Sequence, residues 1–321
     1  MIGLLAVIAF VFVVLPAIHQ KEIKPEDIEQ IVQQGDLKQS LFKIDQYLKS
    51  HPNDPKIILL KGKLLLESDP RLAKEMLERA TEFAITQESA QRVLAALAMS
   101  NADYSDAEAY LLDLLEHAPD DEALLFSMAE SLFHQKKFSS ALPFIRVATQ
   151  NQPKRAESYL LEAEILDELG RVIESVEPLK QAARISPENP VVQANLAYAL
   201  FFSGDLVGAR MHLSIALKQS PHNIDLLVIK AKIQKEAGDI PFAVETLSDI
   251  LKVSPQHEES RLLLAELLMF QNEPQAALKL LEEISTTNNP NHRTLILLSR
   301  AAWMAGETEK AKKYQAQIQL N

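Results

Sequence analysis

Cysteine is absent from the 321 residues. That removes disulfides, thiolate catalysis and cysteine-ligated zinc. Glycine is scarce, at eight residues, and none gathers into the glycine-rich loop that cradles a phosphate. The eight histidines are scattered, and no two stand four apart on a helix with an acid nearby, as a zinc site there would need. A basic stripe is missing too. Lys and Arg number 33 against 44 Asp and Glu, a net charge of −11, which argues against a nucleic-acid partner. Glu164 and Asp167 are neighbours three apart on a helix face, where a solvated surface explains them without acid–base chemistry. No catalytic residue, cofactor or metal is expected from these absences.

What the chain has in quantity is apolar surface, 47% of its residues. Part of it stands at the start. Ile2 to Ile18 carries no charge, and as a helix it reaches about 25 Å, the short end of a bilayer span. Pro16 ends it near the exit. No Lys or Arg precedes the run and no A-x-A cleavage site follows, so residues 1–20 read as a transmembrane anchor contacting the membrane through residues 2–18 rather than a cleaved signal. Lys21 and Lys24 follow it, which places the rest on the cytoplasmic side by the positive-inside tendency.

The remainder, residues 21–321, is periodic. Small residues fall at Ala107, Ala141, Ser175, Ala209, Ala243, Ala277 and Ala311, each 34 after the last. A second small column runs Ala95, Ala129, Ala163, Ala197, Ala231, Ala265, Ser299 at the same step, and prolines recur at Pro119, Pro153, Pro187, Pro221 and Pro255. Three aligned columns define an internal repeat of helix pairs, about nine of them. Small residues let two helices approach closely. Gly35, Gly170, Gly204, Gly238 and Gly306 sit where a positive φ ends the first helix of a pair. Large apolar residues from Leu111 to Leu281 fill the space between pairs, and the column breaks to Gln315 at the end, as a solvated last helix requires.

In the Ala156–Asn189 unit, Tyr159, Ala163, Leu166, Ser175, Leu179, Ala182 and Pro187 fall in a pattern that resembles the tetratricopeptide repeat family. Glu162, where the family prefers Leu, and Pro178, inside a second helix that it should kink, depart from the pattern. The resemblance implies an all-α, right-handed superhelical solenoid of antiparallel helix pairs. It also implies protein or peptide binding in a concave groove lined by the first helix of each pair.

Reading one groove row gives Met99, Phe133, Asp167, Phe201, Lys235, Met269 and Trp303, and its neighbour gives Ala96, Glu130, Glu164, Tyr198, Lys232, Glu266 and Arg300. The candidate partner-binding residues are Phe126, Glu130, Phe133, Glu157, Glu164, Asp167, Glu168, Tyr198, Phe201 and Met269, aromatics and a methionine around an acidic centre. For Phe126, Phe133 and Phe201 ordinary packing between helices is an equal alternative. Trp303 is expected to seal the last repeat. The acids would repel an acidic peptide tail, so the expected partner is a protein carrying a basic amphipathic segment. The expected function is a membrane-anchored, single-pass scaffold or adaptor without enzymatic activity. The alternative is a chaperone-like holder of one substrate during assembly of an envelope component, such as a cytochrome.

Overall fold

The computed structural model describes residues 23–151, 154–287 and 290–320. Among them the regular structure is helical throughout, with no strand. The first helices are α1 (Pro25–Gln33), α2 (Leu37–Ser50), α3 (Pro55–Leu65), α4 (Pro70–Thr81), α5 (Gln87–Ser100), α6 (Tyr104–His117), α7 (Glu122–His134) and α8 (Phe138–Asn151). Then come α9 (Ala156–Glu168), a 3₁₀ turn over Val172–Ser175, α10 (Val176–Ile185), α11 (Pro190–Phe202), α12 (Leu206–Gln219) and α13 (Ile224–Glu236). The last are α14 (Ile240–Val253), α15 (Glu258–Phe270), α16 (Pro274–Thr287), α17 (His292–Met304) and α18 (Thr308–Leu320). Contacts gather them into two compact units, the first ending at Asn151. The repeat register continues through that boundary in sequence, and each unit is a stack of helix pairs. No helix among the described residues is long and apolar enough to cross a membrane. The expected anchor over residues 1–20 lies outside the described residues.

The small columns are where helices of a pair meet. Every member of the column from Ala107 to Ala311 is buried, and so are Ala95 to Ala265 of the other. Ser299, last of the second column, donates its hydroxyl to the carbonyl of Ala311, last of the first, at 3.3 Å. In the second pair Gly62 stands at this contact, where a Cβ would lie 2.8 Å from Leu77 Cγ. Leu111, Ile145, Leu179, Leu213, Leu247 and Leu281 are buried as the spacing requires, and Gln315 is exposed.

The turns inside the pairs share one geometry. Asp103, Lys137, Arg171, Asp205, Asp239, Glu273 and Glu307 each donate a backbone N–H to the carbonyl five residues earlier, at 2.7 to 3.0 Å. This closure satisfies an orphan carbonyl of the first helix and needs a left-handed residue just before the donor. The glycines expected there do adopt it, but so do Ala102 (φ +61), Lys136 (+60) and Asn272 (+64). Register imposes the conformation at every equivalent turn, whatever the side chain. Between pairs, the residue two after the proline caps the next helix. Asp121 accepts from the N–H of Ala123 and Leu124 at 3.0 and 3.2 Å, and Asn189 does the same for Val191 at 3.0 Å.

Pro178 does not kink the middle of a helix. The second helix of its pair is preceded by the 3₁₀ turn, and α10 starts at Val176, so the proline falls in a first turn where no N–H is missed. Glu162 is buried at 7% exposure, in register with the core residues Met128 and Leu196.

Candidate functional site

Among the described residues, several pockets open against the first helices, and two of them, one inside each unit, stand at equivalent places in the repeat. In the first unit α5, α6 and α7 enclose about 320 Å³, with Ala95, Ala96, Met99, Leu111 and Leu124 as apolar wall and Arg92, Ser127 and Glu130 as polar members. In the second unit α9, the 3₁₀ turn, α10 and α11 enclose about 190 Å³. Its wall holds Ala163, Glu164, Asp167, Leu179, Asn195 and Tyr198. These six stand 68 residues, two repeats, after Ala95, Ala96, Met99, Leu111, Ser127 and Glu130. The repeat has therefore built one cavity twice and changed its lining.

The linings differ in charge. In the first pocket Arg92 is already held by Asp121 at 2.9 Å and Glu88 at 3.1 Å. The hydrogen bond to Asp121 raises its guanidinium above the usual range. In the second pocket two carboxylates replace Ala96 and Met99. Asp167 is exposed as a residue, yet the cavity wall partly desolvates its carboxyl, and this first and the charge of Glu168 second push it above the ordinary aspartate value. Tyr198 is raised by burial and then by the nearby charges of Asp167 and Glu259. So Asp167 and Tyr198 line one cavity.

The other candidates are placed less uniformly. Glu157, Glu164, Asp167 and Glu168 are exposed, while Phe126, Glu130, Phe133, Tyr198 and Phe201 are half-buried. Glu130, with Phe126 and Phe133, belongs to the first unit, and the remaining acids belong to the second. Phe133 packs on Phe138 at 5.5 Å between ring centroids, across its own pair. Phe201 packs into the core around Leu200 and Leu213. Met269 is a correction. It is buried at 3% exposure among Leu262, Leu298 and Ala302, because its side chain fills the contact with the last pair instead of the groove. Trp303 is the converse correction: it stands 59% exposed and seals nothing.

The row reading missed Phe202. Its ring stands 4.7 Å from Tyr198 and 5.3 Å from Phe201, both edge-on, and it is 47% exposed. The available signal was its register, since Phe270 and Met304, 68 and 102 residues on, are exposed as well.

Past the second pocket the rows neutralise themselves. Lys232 pairs with Glu259 at 2.7 Å, and Glu266 takes Lys235 at 3.0 Å and Arg293 at 3.1 Å. Burial pushes Glu266 up, but the hydrogen bonds from Lys235 and Arg293 outweigh it and hold the carboxyl below its usual value. Among the described residues no group of three His, Asp or Glu could hold a metal ion.

Comparison with known proteins follows the register. Tetratricopeptide repeat models match residues 92–156, 190–213 and 235–291. No curated protein matches the chain. Among solved structures, a tetratricopeptide repeat protein from Parabacteroides merdae superposes with a TM-score of 0.59 at 16% identity, covering 71% of this chain and 92% of that one. PilW, a type IV pilus biogenesis factor, gives 0.56 at 21% identity, covering 62% and 93%. The pilF protein of Pseudomonas aeruginosa gives 0.51 at 17%, covering 61% and 90%. At these identities the likeness concerns the fold. The helix pairs within residues 92–156, 190–213 and 235–291 match the tetratricopeptide repeat, and the remaining pairs share its fold.

Proposed function

We propose that this protein is a non-enzymatic scaffold that holds a basic amphipathic segment of a protein partner along the first helices of its repeats. The observation that carries the reading is the second pocket, where Glu164 and Asp167 face Tyr198 in one cavity. Carboxylates there favour a cationic side chain, and the aromatic wall accepts its aliphatic stem. Phe202 beside Tyr198 offers a further apolar contact. The uncharged run from Ile2 to Ile18 supports membrane attachment of the scaffold, with Lys21 and Lys24 favouring a cytoplasmic position for the repeats.

The second reading is a chaperone-like holder acting during assembly of an envelope component. The fold shared with the pilus biogenesis factor PilW suits it. The two readings part on which side of the membrane the repeats lie, and a topology reporter fused at Asn321 separates them.

A photo-crosslinking residue at Asn195, in the pocket wall of the full chain in its own cells, tests the binding surface. Crosslinks to a protein segment bearing Lys or Arg are expected. If only a crosslinker at the exposed Lys218 captures a partner, the interaction lies on another face.

A further inference from the structure

One core column runs from Leu94 through Met128, Leu196 and Leu264 to Leu298 at the repeat step, and those residues are buried. Lys230 occupies the same column. It is half-buried, and among the described residues its amino group makes no hydrogen bond or ion pair. A leucine there would complete the core, so the ammonium gives up packing and gains no partner within the fold. Its side chain lines a cavity of about 230 Å³ between α12, α13 and α14. Leu213, Ile233 and Phe242 form the apolar wall. The other polar members are engaged: Arg210 holds Asp239 at 3.0 Å, and the Gln234 side-chain carbonyl accepts from the Thr246 hydroxyl at 3.0 Å. Lys230 is therefore the uncompensated charge of this wall. We infer that the cavity binds a small monocarboxylate with an apolar body, its carboxylate paired with Lys230. One negative charge balances the ammonium, whereas inorganic phosphate, at about −1.5 to −2, would leave charge over beside Asp239. With each water taking about 30 Å³ in the liquid, the volume suits a body the size of one aromatic ring, which the apolar wall covers. A glutamate side chain of a protein carries the same carboxylate but would leave most of that wall bare. The helical period turns Lys230, Ile233 and Gln234 away from Lys232 and Lys235 of the groove rows. This site is thus separate from the binding surface proposed above and does not depend on it.

Calorimetric titration of the full chain with phenylacetate tests this. A dissociation constant of about 1 mM is expected, the range of a ligand with so few atoms. Phenylacetamide, which lacks the charge, should bind at least about tenfold more weakly, and so should inorganic phosphate. Lys230→Leu restores the residue present at Leu196 and Leu264, so it should fold at least as well as wild type and bind phenylacetate at least about tenfold more weakly. Phe242→Ala, at a position 60% exposed, should weaken binding about threefold to tenfold, and it decides the matter if Lys230→Leu misfolds. N-acetylglutamate N-methylamide, standing for a protein side chain, should bind more weakly than phenylacetate; tighter binding would overturn the choice of a free acid. The inference as a whole fails if wild type takes up no phenylacetate at about twenty times the expected constant. It fails equally if phenylacetamide or phosphate binds as well, or if both variants bind phenylacetate as wild type does.

Discussion

The backbone N–H of Asp205 donates to the carbonyl of Leu200 at 3.0 Å, spanning Gly204 at φ +85. The Asp205 carboxylate then accepts from the N–H of Gly208 at 2.9 Å. One residue thus closes α11 and caps α12, and the turn is as short as it is because both jobs fall on Asp205.

That geometry predicts opposite outcomes for two reciprocal substitutions. Nothing lies within 4 Å of a Cβ built on Gly204, so Gly204→Ala should cost only backbone strain, about 1–2 kcal/mol. Ala102 holds the same conformation at φ +61, so Ala102→Gly should stabilise by up to about 1 kcal/mol, the relief of strain exceeding the entropy lost by glycine. Urea unfolding of the two variants measures both. Equal and negative effects would contradict the turn assignment.

Ala209 is fully buried where α12 meets α11. Ala209→Leu should destabilise by about 1–3 kcal/mol through overpacking. Lys218→Leu, on the exposed face of the same helix, should change stability by less than about 0.5 kcal/mol. Indistinguishable thermal midpoints would remove the close-packing role of the small column.

Asp167 carries a carboxyl raised above its unfolded value. Its charged form is therefore disfavoured by folding, and the penalty applies above the folded pKa and disappears as pH falls through it. Asp167→Asn should raise the thermal midpoint at neutral pH, with no gain in acid. The same variant should bind a basic peptide less well at neutral pH. A lower midpoint at neutral pH would show the carboxylate to be structural.

Glu266 has the opposite sign. Its folded pKa is held down, so its stabilising contribution is present above the unfolded value and fades as pH drops through the folded one. Glu266→Gln should lower the midpoint at neutral pH and match wild type in strong acid. A loss that is independent of pH would assign the effect to packing.

The sequence alone determined whatever depends on period. Thirty-four-residue columns of small residues settle which helices pair and which faces are buried, because close helix contact tolerates only small side chains wherever it recurs. It also put Asp167 and Tyr198 in neighbouring rows, since position on a helix face follows from register. Tertiary structure decided the rest. Met269 and Phe201 share a row with Asp167, yet Met269 is buried in the core and Asp167 is exposed. A long flexible thioether turns toward whatever apolar space the next pair leaves open, and a carboxylate turns to water. Ala102 and Lys136 took the left-handed turn against their own preference, because the bond closing each pair outweighs about 1–2 kcal/mol of local strain, whereas Asn272 tolerates that conformation readily. The repeated cavity emerged only when three helices were in place, since its wall is drawn from residues that no single helix brings together.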